Sequence, residues 1–233
     1  MKSPERLLYP RFNSTGCVLE MKFDEGEGNI AYDSSGNNNH GTIYGARWVK
    51  GKYGYALEFD GVDDYVEVSY SDSLYPWKEN HPCTFEVWIK PFSYPGAYGI
   101  ILQYKDDEGT GRTIIAITSE GTFFTYFGGK SLTTSAIAPL NEFTHAVLRY
   151  DGTTLKFFVN GVPDAEDTRT VDEGKVGSLL IGTHKAFKWW FNGIIDEVRI
   201  YNRALSEDEI KAHYKGGRYL PKRINSPTRI ISI

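Results

Sequence analysis

The chain has only two cysteines in 233 residues, Cys17 and Cys83, so at most one disulfide is available and a disulfide-built scaffold is excluded. Both lie beside strand-like sequence, where a free thiol packs as a small hydrophobe, and a buried free thiol is the expectation for each. No apolar run approaches the length of about 18 residues that a membrane span needs, which argues against membrane insertion. The opening Met1-Lys2-Ser3-Pro4-Glu5-Arg6 lacks the apolar stretch of a secretory leader. Two readings stay open there, a chain that remains inside and one whose leader has been trimmed. An excess of positive charge is also missing: 26 basic against 30 acidic residues leave a net charge of −4, without the basic field that nucleic-acid binding requires. There is no EF-hand loop and no zinc-type Cys/His spacing. The five histidines, His40, His81, His145, His184 and His213, form no motif with a serine or cysteine that would mark a nucleophile. Repeats of solenoid length and low-complexity tracts are absent as well.

What is present is aromatic and strand-forming. Aromatic residues make up 15% of the chain, sixteen of them Tyr, an excess that suits pleated sheet surfaces and equally suits stacking on sugar rings. Strand patterns recur at Val18 to Phe23, Ala56 to Phe59, Tyr65 to Val68, Thr84 to Lys90, Gly99 to Tyr104, Thr113 to Ile117, Thr122 to Phe127, His145 to Tyr150, Leu155 to Val159, Leu179 to Ile181 and Ile194 to Tyr201. Turns such as Glu120-Gly121, Asp151-Gly152 and Asn160-Gly161 punctuate them. Many short strands with glycine-rich turns and almost no helix predict an all-β, two-sheet antiparallel sandwich in one domain, residues 16–217. Residues 1–15 read as an N-terminal arm, within which Asn13-Ser14-Thr15 is a glycosylation sequon only in a secreted eukaryotic setting. Residues 218–233 carry Arg218, Lys222, Arg223 and Arg229 with no acid. They read either as an arm returning to the domain surface or as a tail for assembly into a homo-oligomer.

The richest stretch lies near the end of the chain. In Ile194-Ile195-Asp196-Glu197-Val198-Arg199-Ile200-Tyr201, strict alternation puts Ile194, Asp196, Val198 and Ile200 on one face and Ile195, Glu197, Arg199 and Tyr201 on the other. Asp196 then sits on an apolar face, where an unpaired carboxylate costs several kcal/mol or takes up a proton, so either a bound calcium or backbone amides must satisfy it. Ser206-Glu207-Asp208-Glu209 follows, an N-cap serine with a capping-box glutamate and acids in the first turn; it starts one short C-terminal helix at Glu207, which Gly216-Gly217 ends near Tyr214. Antiparallel pairing of Val18 to Phe23 with Ile195 to Tyr201 would bring Asp24 near Asp196, with Asp60 and Asp33 in neighbouring turns. Calcium takes six to eight oxygens and accepts such carboxylates from separate loops. The competing reading for Asp33, and for Asp63 nearby, is an Asx-turn bond to their own backbone.

Gly193-Ile194-Ile195-Asp196-Glu197-Val198-Arg199-Ile200-Tyr201-Asn202-Arg203-Ala204-Leu205-Ser206 resembles the closing signature of the laminin-G-like, concanavalin A-like lectin/glucanase family. Four upstream stretches fit the same pattern in order: Asp33-Ser34-Ser35-Gly36-Asn37-Asn38-Asn39-His40-Gly41-Thr42, Ala56-Leu57-Glu58-Phe59-Asp60-Gly61-Val62-Asp63-Asp64-Tyr65-Val66, Phe85-Glu86-Val87-Trp88-Ile89-Lys90-Pro91 and Phe158-Val159-Asn160-Gly161. The resemblance implies a jelly-roll sandwich. It also implies a structural calcium where the first and last strands meet, held by an aspartate at the start of the closing strand. Asp196 is then the principal ligand, with Asp24, Asp60 and Asp33 as the others. The resemblance further implies a binding or adhesion module at an extracellular, surface or virion location, with a glycan or glycoprotein surface as partner. Two other readings are a structural or assembly component and a degenerate glycoside hydrolase. The glucanase pattern of alternating acids is incomplete, because Glu58-Phe59-Asp60 runs into the turn Gly61-Val62-Asp63 and the third acid is missing.

For a glycan, the useful side chains are accessible aromatics with polar groups around them. Trp189 and Trp190 lead, since adjacent rings in an extended segment point opposite ways and both are buried only if the segment is covered on both sides. Trp77, Tyr98 and Tyr126 follow, with Tyr75 and Tyr94, whereas Trp88 reads as core or sheet face. Because the strand pattern and the capped helix close before the tail, a chain ending at Gly217 is expected to remain a folded monomer. An insoluble or unfolded product in circular dichroism and gel filtration would show that the tail completes the core.

Overall fold

The computed structural model describes residues 14–105, 112–171, 176–184 and 186–216. Most of the expected N-terminal arm and the whole of the basic tail, 218–233, lie outside the described residues. In chain order the first strands are β1 (Cys17–Met21), β2 (Ile30–Ala31), β3 (Gly41–Tyr44), β4 (Arg47–Lys50), β5 (Tyr55–Asp60) and β6 (Tyr65–Val68). They are followed by β7 (Cys83–Pro91), β8 (Tyr98–Tyr104), β9 (Arg112–Thr118), β10 (Thr122–Phe127), β11 (Lys130–Ile137) and β12 (Thr144–Tyr150). The last are β13 (Thr154–Val159), β14 (Val162–Thr168), β15 (Leu179–Ile181), β16 (Thr183–His184), β17 (Trp189–Trp190) and β18 (Asn192–Tyr201), and helix α1 (Glu207–Tyr214) closes the described chain.

Two antiparallel sheets face one another, as expected. The first runs β14-β13-β12-β7-β18-β5-β4 with β1 also paired to β18; the second runs β11-β10-β9-β8-β15-β6-β3-β2. Alternation on β7 sends Phe85, Val87 and Ile89 between the sheets, where they join Leu57, Phe59, Leu102, Phe127 and Ile195 in one core. Trp77 is at its centre. That ring is 0% exposed and packs edge-on against Tyr104 and Phe127 at 4.8 and 5.4 Å, so the expectation that it meets a ligand is corrected. Both cysteines are free and buried, as expected, and burial raises the pKa of each thiol. No helix among the described residues is long and apolar enough to cross a membrane.

The closing strand departs from strict alternation. Its register against β7 shifts between Asp196 and Arg199, and Glu197 takes φ +52°, so a β-bulge adds a residue there. Ile195 faces the core before the bulge, and Val198 and Ile200 face it after. Asp196 pairs across from Trp88 on the outer face, not on the core face that unbroken alternation assigns it. The bulge falls where β18 exchanges β5, paired through Ile195, for β1, paired from Val198 onward.

The outer face of the first sheet is covered by α1. The helix has the expected capping box, with Ser206 Oγ accepting from Glu209 N and Glu209 Oε2 accepting from Ser206 N. Ile210 of the helix and, beneath it, Cys17, Val147, Phe158, Tyr201 and Leu205 form a second, small apolar cluster. Beside that cluster Glu86, 0% exposed, bonds His145 Nε2 at 2.9 Å through one carboxylate oxygen and His213 Nδ1 at 2.8 Å through the other. Arg199 lies 3.9 Å away and is paired in turn with Glu197 and Glu20. Burial by itself would push the Glu86 carboxyl up; the two imidazoles outweigh it and hold the group ionised, well below the usual carboxylate range. Removing one member of a buried, mutually bonded set leaves its partners uncompensated, typically at a cost of about 3–5 kcal/mol. Glu86→Ala is therefore expected to lose stability of that order in urea denaturation, and a loss below about 1 kcal/mol would show that the cluster is not holding α1 to the sheet.

Candidate functional site

A cleft of about 340 Å³ opens at the edge of the sandwich where the β16–β17 hairpin meets the start of β8. The hairpin is held at its base by Gly182, whose N–H donates to Ile101 O and whose carbonyl accepts from Phe191 N, both at 3.0 Å. Gly182 has φ +90°, and a Cβ there would come within 2.6 Å of the Phe59 ring, so the approach of hairpin to core requires glycine. The turn ends at Lys188, also left-handed at φ +55°.

Trp189, Trp190 and Tyr98 line this cleft together, so three of the aromatics singled out in the sequence converge, although about ninety residues separate Tyr98 from the tryptophans. Both indoles are half-buried. Trp189 packs against Tyr98 at 5.0 Å and Phe187 at 4.8 Å, while Trp190 approaches Tyr65 at 6.5 Å. Tyr98 is held from its other side by Phe124 at 4.7 Å. Tyr126, although 45% exposed on β10, does not line the cleft. Tyr94 is turned to donate its hydroxyl to Ala138 O at 2.9 Å, and Tyr75 packs on Trp77. Trp88 lies buried on the outer face of the first sheet with the Lys52 ammonium 4.3 Å from its ring.

The polar groups of the cleft are Asp60, Asn192, Ser93 and Lys188. Asn192 Nδ2 donates to Ser93 Oγ at 2.8 Å, and Asn192 pairs across the ladder with Asp60, so the carboxylate and the amide enter from adjacent strands. Sequence reasoning did not single out Asn192, Ser93 or Lys188. The first follows the Trp pair closely, but nothing in the local pattern links Ser93 to it.

The four aspartates expected to share a calcium occupy separate places. Asp33 Oδ1 accepts from Glu20 N and Ser35 N and its Oδ2 from Ser35 Oγ and Asn39 N, so it is spent on local turns, the Asx-type reading. Asp24 Oδ1 accepts from Tyr55 N, and Asp196 Oδ2 from Lys52 N at 2.7 Å and Tyr53 N at 3.3 Å, so Asp196 braces the middle of the β4–β5 turn and Asp24 the start of β5. Among the described residues no three of the four lie within reach of one ion. The acids that do gather are Asp60, Asp63 and Asp64, with one carboxylate oxygen from each within 4.8 Å of the others. The expected set therefore does not fit one calcium. Burial and the neighbouring Glu197 charge push the Asp196 carboxyl up to about 8, against the pull of the Tyr53 and Lys52 amides, so it is protonated at neutral pH.

A model described as the concanavalin A-like lectin/glucanases superfamily matches residues 60–211. Among solved structures, the binding domain of Paraclostridial Mosquitocidal Protein 1 superposes with a TM-score of 0.70 at 16% identity, over 86% of this chain and 52% of that one. Domain 4 of AbnA, a GH43 extracellular arabinanase from Geobacillus stearothermophilus solved in complex with arabinotriose, gives 0.60 at 21% identity over 84% and 96%. A Trypanosoma rangeli sialidase gives 0.69 at 16% identity over 93% and 36%. The chain thus spans about half of the first of these structures and about a third of the sialidase, and at such identities the likeness is one of fold. Comparison with curated proteins gives no match.

Asp196 can be tested directly. In the folded chain it carries a proton that the unfolded chain releases near pH 4, so between about pH 4 and about pH 8 the native state binds the extra proton and the contribution of this group to stability falls as pH rises. Asp196→Asn keeps an oxygen for the two amides and is expected to flatten that slope with little other change. Asp196→Ala strands both N–H groups, at about 1–3 kcal/mol. A calcium ion on Asp196 would make both variants equally damaging and would lower the wild-type melting temperature in chelator.

Proposed function

The chain belongs to the concanavalin A-like lectin/glucanases superfamily, and from that premise we propose that it is a non-catalytic binding module whose ligand is a carbohydrate, taken up in the cleft of Tyr98, Trp189 and Trp190. The observation that carries this reading is the composition of the cleft. Indole and phenol faces stand beside a carboxylate, an amide, a hydroxyl and an ammonium, the mixture that suits a ring with apolar faces and a polar rim. The arabinotriose held by domain 4 of AbnA, a domain of the same fold, supports the ligand class.

Hydrolysis of a glycosidic bond ordinarily requires two carboxyl groups flanking the scissile bond. Asp60 is the carboxylate of the cleft, while Glu58, two residues before it, is ion-paired with Arg47 and does not line it. That arrangement supports binding over catalysis. A glycan or glycoprotein surface as partner goes with an extracellular or surface location, and self-association through the basic tail belongs to the same reading. Calcium is retained in it only through Asp60, whose neighbours for an ion are Asp63 and Asp64 rather than Asp196.

A glycan array followed by titration calorimetry tests the function. One aromatic stacked on a sugar is typically worth about 0.5–1.5 kcal/mol beyond burial, so Trp189→Ala and Trp190→Ala are each expected to weaken binding of the array hits roughly two- to tenfold. Unchanged affinity in both variants, or an array with no hits, would remove the proposal.

A further inference from the structure

A second hollow of about 320 Å³ adjoins the cleft, and Ala97 and Tyr98 line both. Its remaining walls are Thr118, Ser119, Glu120 and Thr122 of the β9–β10 turn and Thr133 of β11. The partition between the two is firmly built. Tyr98 pairs with Thr118 across the β8–β9 ladder, Ser119 N donates to Ala97 O at 3.1 Å, and the Tyr98 ring is wedged between Trp189 and Phe124. The turn is fixed as well: Thr118 Oγ1 lies 2.8 Å from Thr122 Oγ1 and accepts from Glu120 N at 3.2 Å.

The two hollows are nearly equal in size and differ in chemistry. The first offers two indoles, an acid, an amide and an ammonium; the second offers hydroxyls and the Glu120 carboxylate, with no cation and no aromatic besides the shared tyrosine. A ligand that fills both must repeat its shape at a short interval, present hydroxyl groups throughout and tolerate a carboxylate beside its second unit. From this we infer that the site binds a neutral, linear oligosaccharide of at least two residues along the groove, one residue stacked in the tryptophan cleft and the next in the Thr118–Glu120–Thr133 hollow, with Tyr98 between them. This inference rests on the carbohydrate-binding reading and goes beyond it in fixing the ligand as a chain rather than a single terminal sugar. Glycans whose second residue is acidic are disfavoured, because Glu120 meets them without a counter-charge.

The test is calorimetric titration of the full chain with the monosaccharides, disaccharides and hexasaccharides of the xylan, cellulose, mannan and arabinan series, and with trigalacturonic acid. In the series that binds, affinity is expected to rise about tenfold from monosaccharide to disaccharide. Thr133→Val removes one hydroxyl from the second hollow while keeping the β-branched shape that suits the strand, and is expected to weaken the disaccharide several-fold while leaving the monosaccharide unchanged. Glu120→Ala, in the exposed turn, gives an independent reading of the same hollow and is expected to weaken the disaccharide alone. Equal affinity for mono- and disaccharide in the wild type, unchanged disaccharide binding in both variants, or preferred binding of trigalacturonic acid overturns the chain-binding inference and leaves the carbohydrate-binding reading standing. Binding of none of these sugars overturns both.

Discussion

Glu86 is a carboxylate shut away from water, and the groups gathered to satisfy it hold the outer layer of the molecule together. It lies on β7 and reaches His145 on β12 and His213 on α1, with Arg199 of β18 beside it. Such a set is tolerable in a dry interior only when every charge is bonded, and that requirement determines the position of α1 as firmly as the apolar contacts of Leu205 and Ile210 do. Arg203 continues the arrangement, gripping Glu209 with two hydrogen bonds of 2.9 and 2.8 Å. The helix is thus tied at its first turn and again at its last.

The same strand that carries Arg199 begins, seven residues earlier, at Asn192 in the cleft. β18 is flanked by β7 along most of its length and by β5 and then β1 on its other side, so it acts as a rigid spar from cleft to helix. The polar side of the cleft inherits its placement from the ladder that pairs Asn192 with Asp60. Its aromatic side depends on a two-strand hairpin anchored by one glycine. A polar wall built into the sheet thus faces an aromatic wall carried by the hairpin.

The strands legible in the sequence were, β1 apart, the inner ones, because a strand covered on one face writes its burial into alternating residues. The four that end the two large sheets, β14, β4, β11 and β2, were not legible, and neither was the short inner strand β3. β14 shows why: Val162-Pro163-Asp164-Ala165-Glu166-Asp167-Thr168 has a proline, three acids and no buried residue, as an edge that must resist further pairing does. The capping box made α1 legible to the residue. The bulge at Glu197 was invisible, since nothing local distinguishes an alternating run from one interrupted by a residue in a left-handed conformation, and the side assigned to Asp196 was wrong for that reason alone. The Glu86 cluster left no trace either. Its members are 59 and 127 residues apart, and only the stacking of β12 on β7 and of α1 above them brings three ordinary residues into one site. The cleft was legible in its aromatic half, where two adjacent tryptophans stand out, and not in Ser93 and Asn192, whose types are too common to signal anything without the ladder that joins them.

The two free thiols have a practical consequence. Cys83 is completely buried between the sheets, and that burial suppresses the thiolate through which alkylating reagents react. The fold contains no covalent cross-link among its described residues that a reducing compartment would break, so its folding is independent of redox conditions. The chain also carries its own stopwatch: the rate at which Cys83 is modified in the native state counts openings of the inter-sheet core, without any label having been added.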